Sequence, residues 1–122
     1  DYSIERTNEA KTLLKDYNNV ELVCDDVNNF VDNDNKYDII FAFEVIEHLI
    51  DSEVVVNKLK KMLNIGGFLI CTVPYQDKPS DIHLSAFKDA NDVNNRLGLQ
   101  LLSNKLKMRF DYQRVFFYKK RL

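Results

Sequence analysis

The chain is poor in the features that several protein classes need. Its 122 residues hold no apolar run long enough to span a bilayer, no signal peptide and no lipidation motif. No membrane partner is therefore expected, and the sequence reads as cytoplasmic. Cysteine occurs twice, at Cys24 and Cys71, each inside an apolar run and without metal-ligand spacing, so both read as buried thiols in a reducing compartment. A formal charge of −2 is too weak to argue for a nucleic-acid partner, and the basic stretch Lys119, Lys120 and Arg121 reads as a solvated end. Glycine stands at positions 66, 67 and 98 alone, so there is no glycine-rich loop to bring the backbone close to a cofactor. No internal repeat or low-complexity tract interrupts the order of elements.

What is present fits one globular α/β domain over residues 1–122, with nearly half the residues apolar and both charge signs plentiful. Ser3 can cap a helix reaching about Tyr17, with Ala10, Leu13, Leu14 and Tyr17 on one face. Residues 20–24 (VELVC) read as a short strand ending against Asp25 and Asp26. The Asn- and Asp-rich residues 28–36 form a loop with room for one helical turn around Phe30 and Val31. Residues 37–43 are apolar apart from Asp38, the pattern of a strand buried on both faces.

Residues 52–63 place Val55, Leu59, Met62 and Leu63 on one helical stripe, with Lys58, Lys60 and Lys61 largely outside it. Gly66 and Gly67 then end the connection, and residues 68–73 (FLICTV) form a second buried strand, parallel to the first. A helix near residues 89–97 stops at Gly98, and residues 99–106 and 113–119 close the chain as an antiparallel pair. The βαβ unit carries Glu44, Glu47 and His48 just past its first strand, where open α/β sheets place their ligands.

The run EVIEHL at 44–49, the helix ending KKMLNIGGFLICTVPY and the later pair His83 and Phe87 together resemble class I S-adenosylmethionine-dependent methyltransferases, especially the quinone-biosynthesis-like branch. The likeness covers nearly the whole chain. It implies a Rossmann-like fold, with a mostly parallel sheet flanked by helices and a C-terminal antiparallel hairpin, and S-adenosylmethionine as cofactor. It also implies roles at matching positions. Asp1 would hold the cofactor's ribose hydroxyls, and Asp26 with the backbone of Val27 would meet the adenine. Phe43, Glu44 and Val45 would line the methionine moiety, and Pro74, Tyr75 and His83 would border the acceptor.

The family's glycine-rich loop between first strand and first helix has no counterpart here, so the N-terminal strand and helix of the fold are missing from the sequence. The expectation is the carboxyl-terminal two-thirds of a longer methyltransferase. Two other arrangements stay open: a shortened domain that pairs residues 20–24 directly with 37–43, and a homodimer completed by strand exchange.

The function implied is methyl transfer to a small-molecule acceptor, a lipid-like or quinone-like phenol being one case. A base is needed only where the acceptor's proton is hard to lose; His48 is the first candidate and His83 the second. Each also has a structural reading, His48 as a cap on the turn and His83 as a loop residue near Phe87. Glu44, Glu47, His48 and His83 could together form a two-carboxylate, two-imidazole metal site, which small-RNA 2′-O-methyltransferases resemble. The same EVIEH string is common in metal-free relatives, and the charge balance argues against RNA, so no metal is expected. A non-catalytic partner-binding module is the alternative, using a sheet edge or the aromatics Phe110, Tyr112, Phe116, Phe117 and Tyr118, although their alternation with polar residues reads as hairpin core.

Overall fold

Strand β2 (Leu63–Thr72) organises the larger part of the molecule, because its apolar run supplies a hydrogen-bonding edge to each side. In the computed structural model the described residues are 2–30, 32, 34–107 and 112–122. Asp1, Val31 and Phe110 lie outside them, as does the side chain of Tyr112. The chain divides into two units, residues 1–32 and 33–122.

In the second unit the sheet order is β1-β2-β4-β3, with β1 at Tyr37–Ala42, β3 at Gln100–Lys107 and β4 at Tyr112–Lys119. Strands β1 and β2 run parallel, joined through helix α2 (Ser52–Lys61), as the spacing of the βαβ unit predicts. The hairpin β3–β4 is antiparallel, and β4 pairs antiparallel with β2, so the sheet is mixed rather than mostly parallel among the described strands.

The stripe on α2 is buried as expected: Val55, Leu59, Met62 and Leu63, with Val56, sit in the core against β2 and helix α3 (Ala90–Leu97). Helix α3 starts at the Asp89 cap, whose carboxylate accepts from the Asp92 N–H, and stops at Gly98 with φ +62°. Lys60 departs from the expected outer face. Its ammonium donates to the Leu97 carbonyl at 2.6 Å and lies 4.5 Å from the Tyr118 ring centre, and burial lowers its pKa. A cation thus caps the carboxyl end of α3.

The Gly66-Gly67 pair is not a connection before the strand but lies within it. Tyr37 pairs with Leu63 and Ile39 with Phe68, so residues 64–67 stand opposite Asp38 alone. Gly66 has φ +85°, and its N–H donates to the Lys120 carbonyl at 2.7 Å. A Cβ on Gly67 would fall 2.9 Å from the carbonyl oxygens of both Asn64 and Asp38. This is a bulge that only the absence of a side chain permits.

Strand β1 is an edge strand, which corrects the reading of a strand buried on both faces. Among the described strands β2 borders one edge of it, and Ile39 is 50% exposed and Phe41 61%, while Ala42 is buried, so one face is open. In the hairpin, Phe116 packs in the core with Val115, whereas Phe117 and Tyr118 are half-buried, so the aromatic end is core only in part where it is described.

The first unit holds helix α1 (Ile4–Leu13), shorter than the stretch to Tyr17 that its apolar spacing suggested. Ser3 caps it, its hydroxyl accepting from the Arg6 N–H at 3.3 Å. The stripe packs only in part: Ala10 and Leu14 are half-buried, whereas Leu13 is 80% exposed and Tyr17 61%. Residues 20–24 are not a strand, and Cys24 is exposed rather than buried. Among the described residues no β-ladder includes this segment, so its apolar pattern alone does not make it a strand. Among the described residues no helix is long and apolar enough to cross a membrane.

Two outcomes are expected. Gly67→Ala lowers stability by about 1–3 kcal/mol in urea unfolding, since two backbone carbonyls must give way; an unchanged midpoint would mean that the bulge is loose. Burial pushes the Cys71 thiol up to about 12. A thiol reagent at pH 8 should therefore label Cys24 alone, and Cys71 only after unfolding, with labelling counted by mass.

Candidate functional site

The carboxyl end of β1 leaves the sheet through a strained residue. Glu44 has φ +54°, the only non-glycine position among the described residues in the left-handed region. Its N–H donates to Thr72 Oγ1 at 2.8 Å, which ties the turn to the end of the neighbouring parallel strand. Strain of this kind in a residue with a Cβ costs about 1–2 kcal/mol and is kept where surrounding structure holds it. Phe43, just before it, is 40% exposed, its ring 5.4 Å from that of Phe41. Val45 then precedes a single 3-10 turn, Ile46–His48.

That turn buries Ile46 and Glu47 and leaves His48 half exposed. The Glu47 side chain is 5% exposed, and its Oε1 lies 3.9 Å from His48 Nε2. Its other oxygen, Oε2, is buried and has no hydrogen-bond partner. Burial raises the Glu47 pKa, opposed by its own backbone N–H and by the two nearby imidazoles.

The loop from 73 to 88 is fastened over this turn. Ser85 donates its N–H to the Glu47 carbonyl at 3.1 Å and its hydroxyl to the Leu49 carbonyl, and Ser85 Oγ lies 3.1 Å from Ser52 Oγ. Phe87 is fully buried and bridges to Tyr75, while the Gln76 N–H donates to the Phe87 carbonyl at 2.7 Å. Arg96 of α3 closes the far end, donating to the Ala86 carbonyl at 2.7 Å, pairing with Glu53 at 3.0 Å and covering the Phe87 ring at 4.3 Å.

His83 is thereby carried to His48, their ring centres 5.1 Å apart and nearly edge to face. The Nδ1 of His48 lies 2.6 Å from the Ile82 carbonyl, and that of His83 lies 2.7 Å from Gln76 Oε1. Glu47, His48 and His83 each bring a ligand-type atom within 4.8 Å of the others; Glu44 is not of this group. Of the four residues that the sequence groups as a metal set, three therefore meet.

Tyr75 is held by packing, with Arg114 4.0 Å from its ring centre and Phe116 at 6.4 Å. A concavity of about 330 Å³ lined by Gly98, Gln100, Phe117, Tyr118, Lys119 and Arg121 contains none of the site residues and lies along the hairpin. In the first unit Asp26 is held in a turn: its Oδ1 accepts from the N–H and side-chain amide of Asn28, both at 2.9 Å, and its carbonyl accepts from Phe30. Val27 follows in the same turn. Asp1 lies outside the described residues.

Sequence reasoning gave no role to Gln76, Ser85 or Arg96. Their parts come from tertiary placement, and only the run of polar residues between Pro74 and Phe87 hinted at a structured loop.

Residues 1–71 match a family described as "Methyltransferase domain". A search of the curated proteins gives no match. Among solved structures the chain is similar to the N-methyltransferase NodS from Bradyrhizobium japonicum WM9, at 18% identity and a TM-score of 0.76, covering 100% of this chain and 71% of that one. It is also similar to an S-adenosylmethionine-dependent methyltransferase from Clostridium acetobutylicum ATCC 824, at 18% identity and TM-score 0.71, covering 99% and 73%. A third likeness is to magnesium protoporphyrin IX methyltransferase (ChlM) from Synechocystis PCC 6803 with bound SAM, at 16% identity and TM-score 0.64, covering 96% of this chain and 55% of that one. With more than half its length inside the family match and the Rossmann-like α/β fold of these enzymes, the chain belongs to the class I S-adenosylmethionine-dependent methyltransferase family.

Proposed function

We propose that residues 1–122 serve as one methyltransferase domain that passes a methyl group from S-adenosylmethionine to a small-molecule acceptor, a quinone-like or lipid-like phenol being the class the EVIEHL run suggests. The observation that carries the reading is the strained, exposed turn at Phe43 and Glu44, at the carboxyl end of a parallel strand pair, with two imidazoles just beyond it. Relatives of similar fold differ in acceptor, since NodS is an N-methyltransferase and ChlM acts on magnesium protoporphyrin IX.

The residues present suit the cofactor by chemistry. Asp26 offers a carboxylate that its turn holds in place, fit to accept from an adenine amine, with Val27 next to it. Phe43 and Val45 offer apolar surface and Glu44 a carboxylate for the aminoacid end, and Asp1 remains the candidate for the ribose. When bound, S-adenosylmethionine supplies a methyl group made electrophilic by its sulfonium. The chain's own work is to hold the acceptor in line, keep water out and, for a phenol, take a proton.

His48 is suited to that last task. The Ile82 carbonyl can only accept, so the Nδ1 facing it carries the hydrogen and Nε2 of the neutral ring keeps its lone pair. Gln76 Oε1 fixes His83 in the same way. Tyr75 and Pro74 lie next in sequence to this loop and would border the acceptor.

Calorimetric titration of the chain, stripped of bound ligand, with S-adenosylhomocysteine should show micromolar binding, roughly 8 kcal/mol. No detectable heat would mean that these residues do not by themselves form a cofactor site. Glu44→Gly separates side chain from backbone: it should raise stability by about 1 kcal/mol, by relieving the left-handed strain, while weakening that binding about tenfold through one lost charged hydrogen bond. A gain in melting temperature with unchanged affinity would remove Glu44 from the cofactor site.

A further inference from the structure

Around the 3-10 turn two imidazoles and a buried carboxylate come together. Both imidazoles have Nδ1 engaged by an oxygen that only accepts, the Ile82 carbonyl for His48 and Gln76 Oε1 for His83, so both neutral rings hold their free lone pair on Nε2. Glu47 adds a carboxylate whose side chain is only 5% exposed and whose Oε2 has no partner. A buried, unsatisfied carboxylate oxygen is costly, and each such atom in a folded protein calls for an explanation. Two imidazoles and a carboxylate with one unpaired buried oxygen make a set that a single cation would satisfy.

We propose that Glu47, His48 and His83 bind a zinc ion. One ligand atom from each lies within 4.8 Å of the others. A two-histidine, one-carboxylate set with the fourth position open is a zinc arrangement that leaves room for water or substrate. The outer oxygens complete the pattern, because a ligating imidazole ordinarily gives its other N–H to a carbonyl or carboxylate that fixes ring and tautomer. Zinc–ligand bonds of about 2.0–2.2 Å place neighbouring ligand atoms roughly 3.3 Å apart, so the three groups must draw together. His48 is 48% exposed and can turn without disturbing the core. Glu44, the fourth member of the sequence set, is outside the cluster.

The ion fastens the loop carrying His83 to the turn carrying Glu47 and His48. Its chemical consequence rests on the methyl-transfer reading, whereas its binding does not. While the ion is held, both Nε2 lone pairs are used and the histidines act as ligands; in its absence His48 Nε2 stays available for the proton, as proposed above. When bound, the ion would leave its fourth position for an acceptor hydroxyl and would make that proton easier to lose to bulk water. An oxygen acceptor is thus favoured over a carbon one.

The test uses the full 122-residue chain, stripped of metal with a chelator and titrated with zinc chloride in the absence of cofactor. One equivalent should bind with micromolar or tighter affinity and raise the melting temperature. Cobalt(II) in its place should give the strong visible absorption of a four-coordinate site. Glu47→Gln and His83→Gln should each weaken zinc binding by about 100-fold or more, and Gln76→Ala, which frees the His83 Nδ1, by about 10–100-fold. Asp81→Asn, at an exposed acid outside the cluster, should leave it unchanged. A variant that loses its cooperative melt is replaced by His48→Gln at the half-exposed position. No binding at millimolar zinc, or equal affinity in Glu47→Gln and His83→Gln, overturns the proposal. Neither readout involves methyl transfer, so either result leaves the proposed function to be decided by its own titration.

Discussion

The close backbone approach between β1 and β2 is the constraint on which the rest of the larger unit depends. Gly67 lies so near the carbonyls of Asp38 and Asn64 that any side chain would force the strands apart. Once the bulge opposite Asp38 is absorbed, the register from Ile39 to Ala42 brings the ends of the two strands level. Thr72 can then reach the Glu44 N–H, and the turn that follows is held in a conformation a non-glycine residue would otherwise avoid. The same strand, through its other edge, aligns the hairpin, and Lys120 closes the junction by bonding to both Gly66 and Gly67.

The second fixed relation is between that turn and the loop beyond β2. Long loops ordinarily hold their shape loosely, but this one spends its polar groups on backbone carbonyls of the elements beneath it. Ser85 satisfies Glu47 and Leu49, and Arg96 satisfies Ala86 while covering the buried Phe87 ring. Histidines 35 residues apart in sequence meet for that reason (83 − 48 = 35), with ring centres 5.1 Å apart. Each has its Nδ1 against an oxygen, so hydrogen bonding sets the tautomer of both rings. The N-terminal unit is built differently, from a capped helix and an Asp-centred turn, and its local hydrogen bonds are what hold Asp26.

Much of the fold was legible. The Ser3 cap, the α2 stripe, the Gly98 stop, the parallel pair and the closing hairpin all follow from local chemistry, because caps, 3.6-residue periodicity and glycine conformations are written into adjacent residues. Three of the misreadings share one cause. Residues 20–24, β1 and the face of α1 were judged by apolar pattern, which states what a segment would bury if covered, whereas cover is supplied by neighbours. Val20, Ile39, Phe41 and Leu13 are exposed among the described residues. Cys24 follows its segment to the surface, while Cys71, inside β2, stays in the core.

By itself the sequence determined the family, the order of elements from residue 37 onward and the residue types at the strand end, since the EVIEHL run, the Gly-Gly pair and the apolar strand after it are contiguous patterns. Only the tertiary structure decided that Glu47 is buried with an unpaired oxygen, that His83 joins it and Glu44 does not, and that Gln76 and Ser85 matter. The physical reason is that burial and hydrogen-bond satisfaction belong to pairs of groups brought together across the chain, and a linear pattern specifies only one member of each pair.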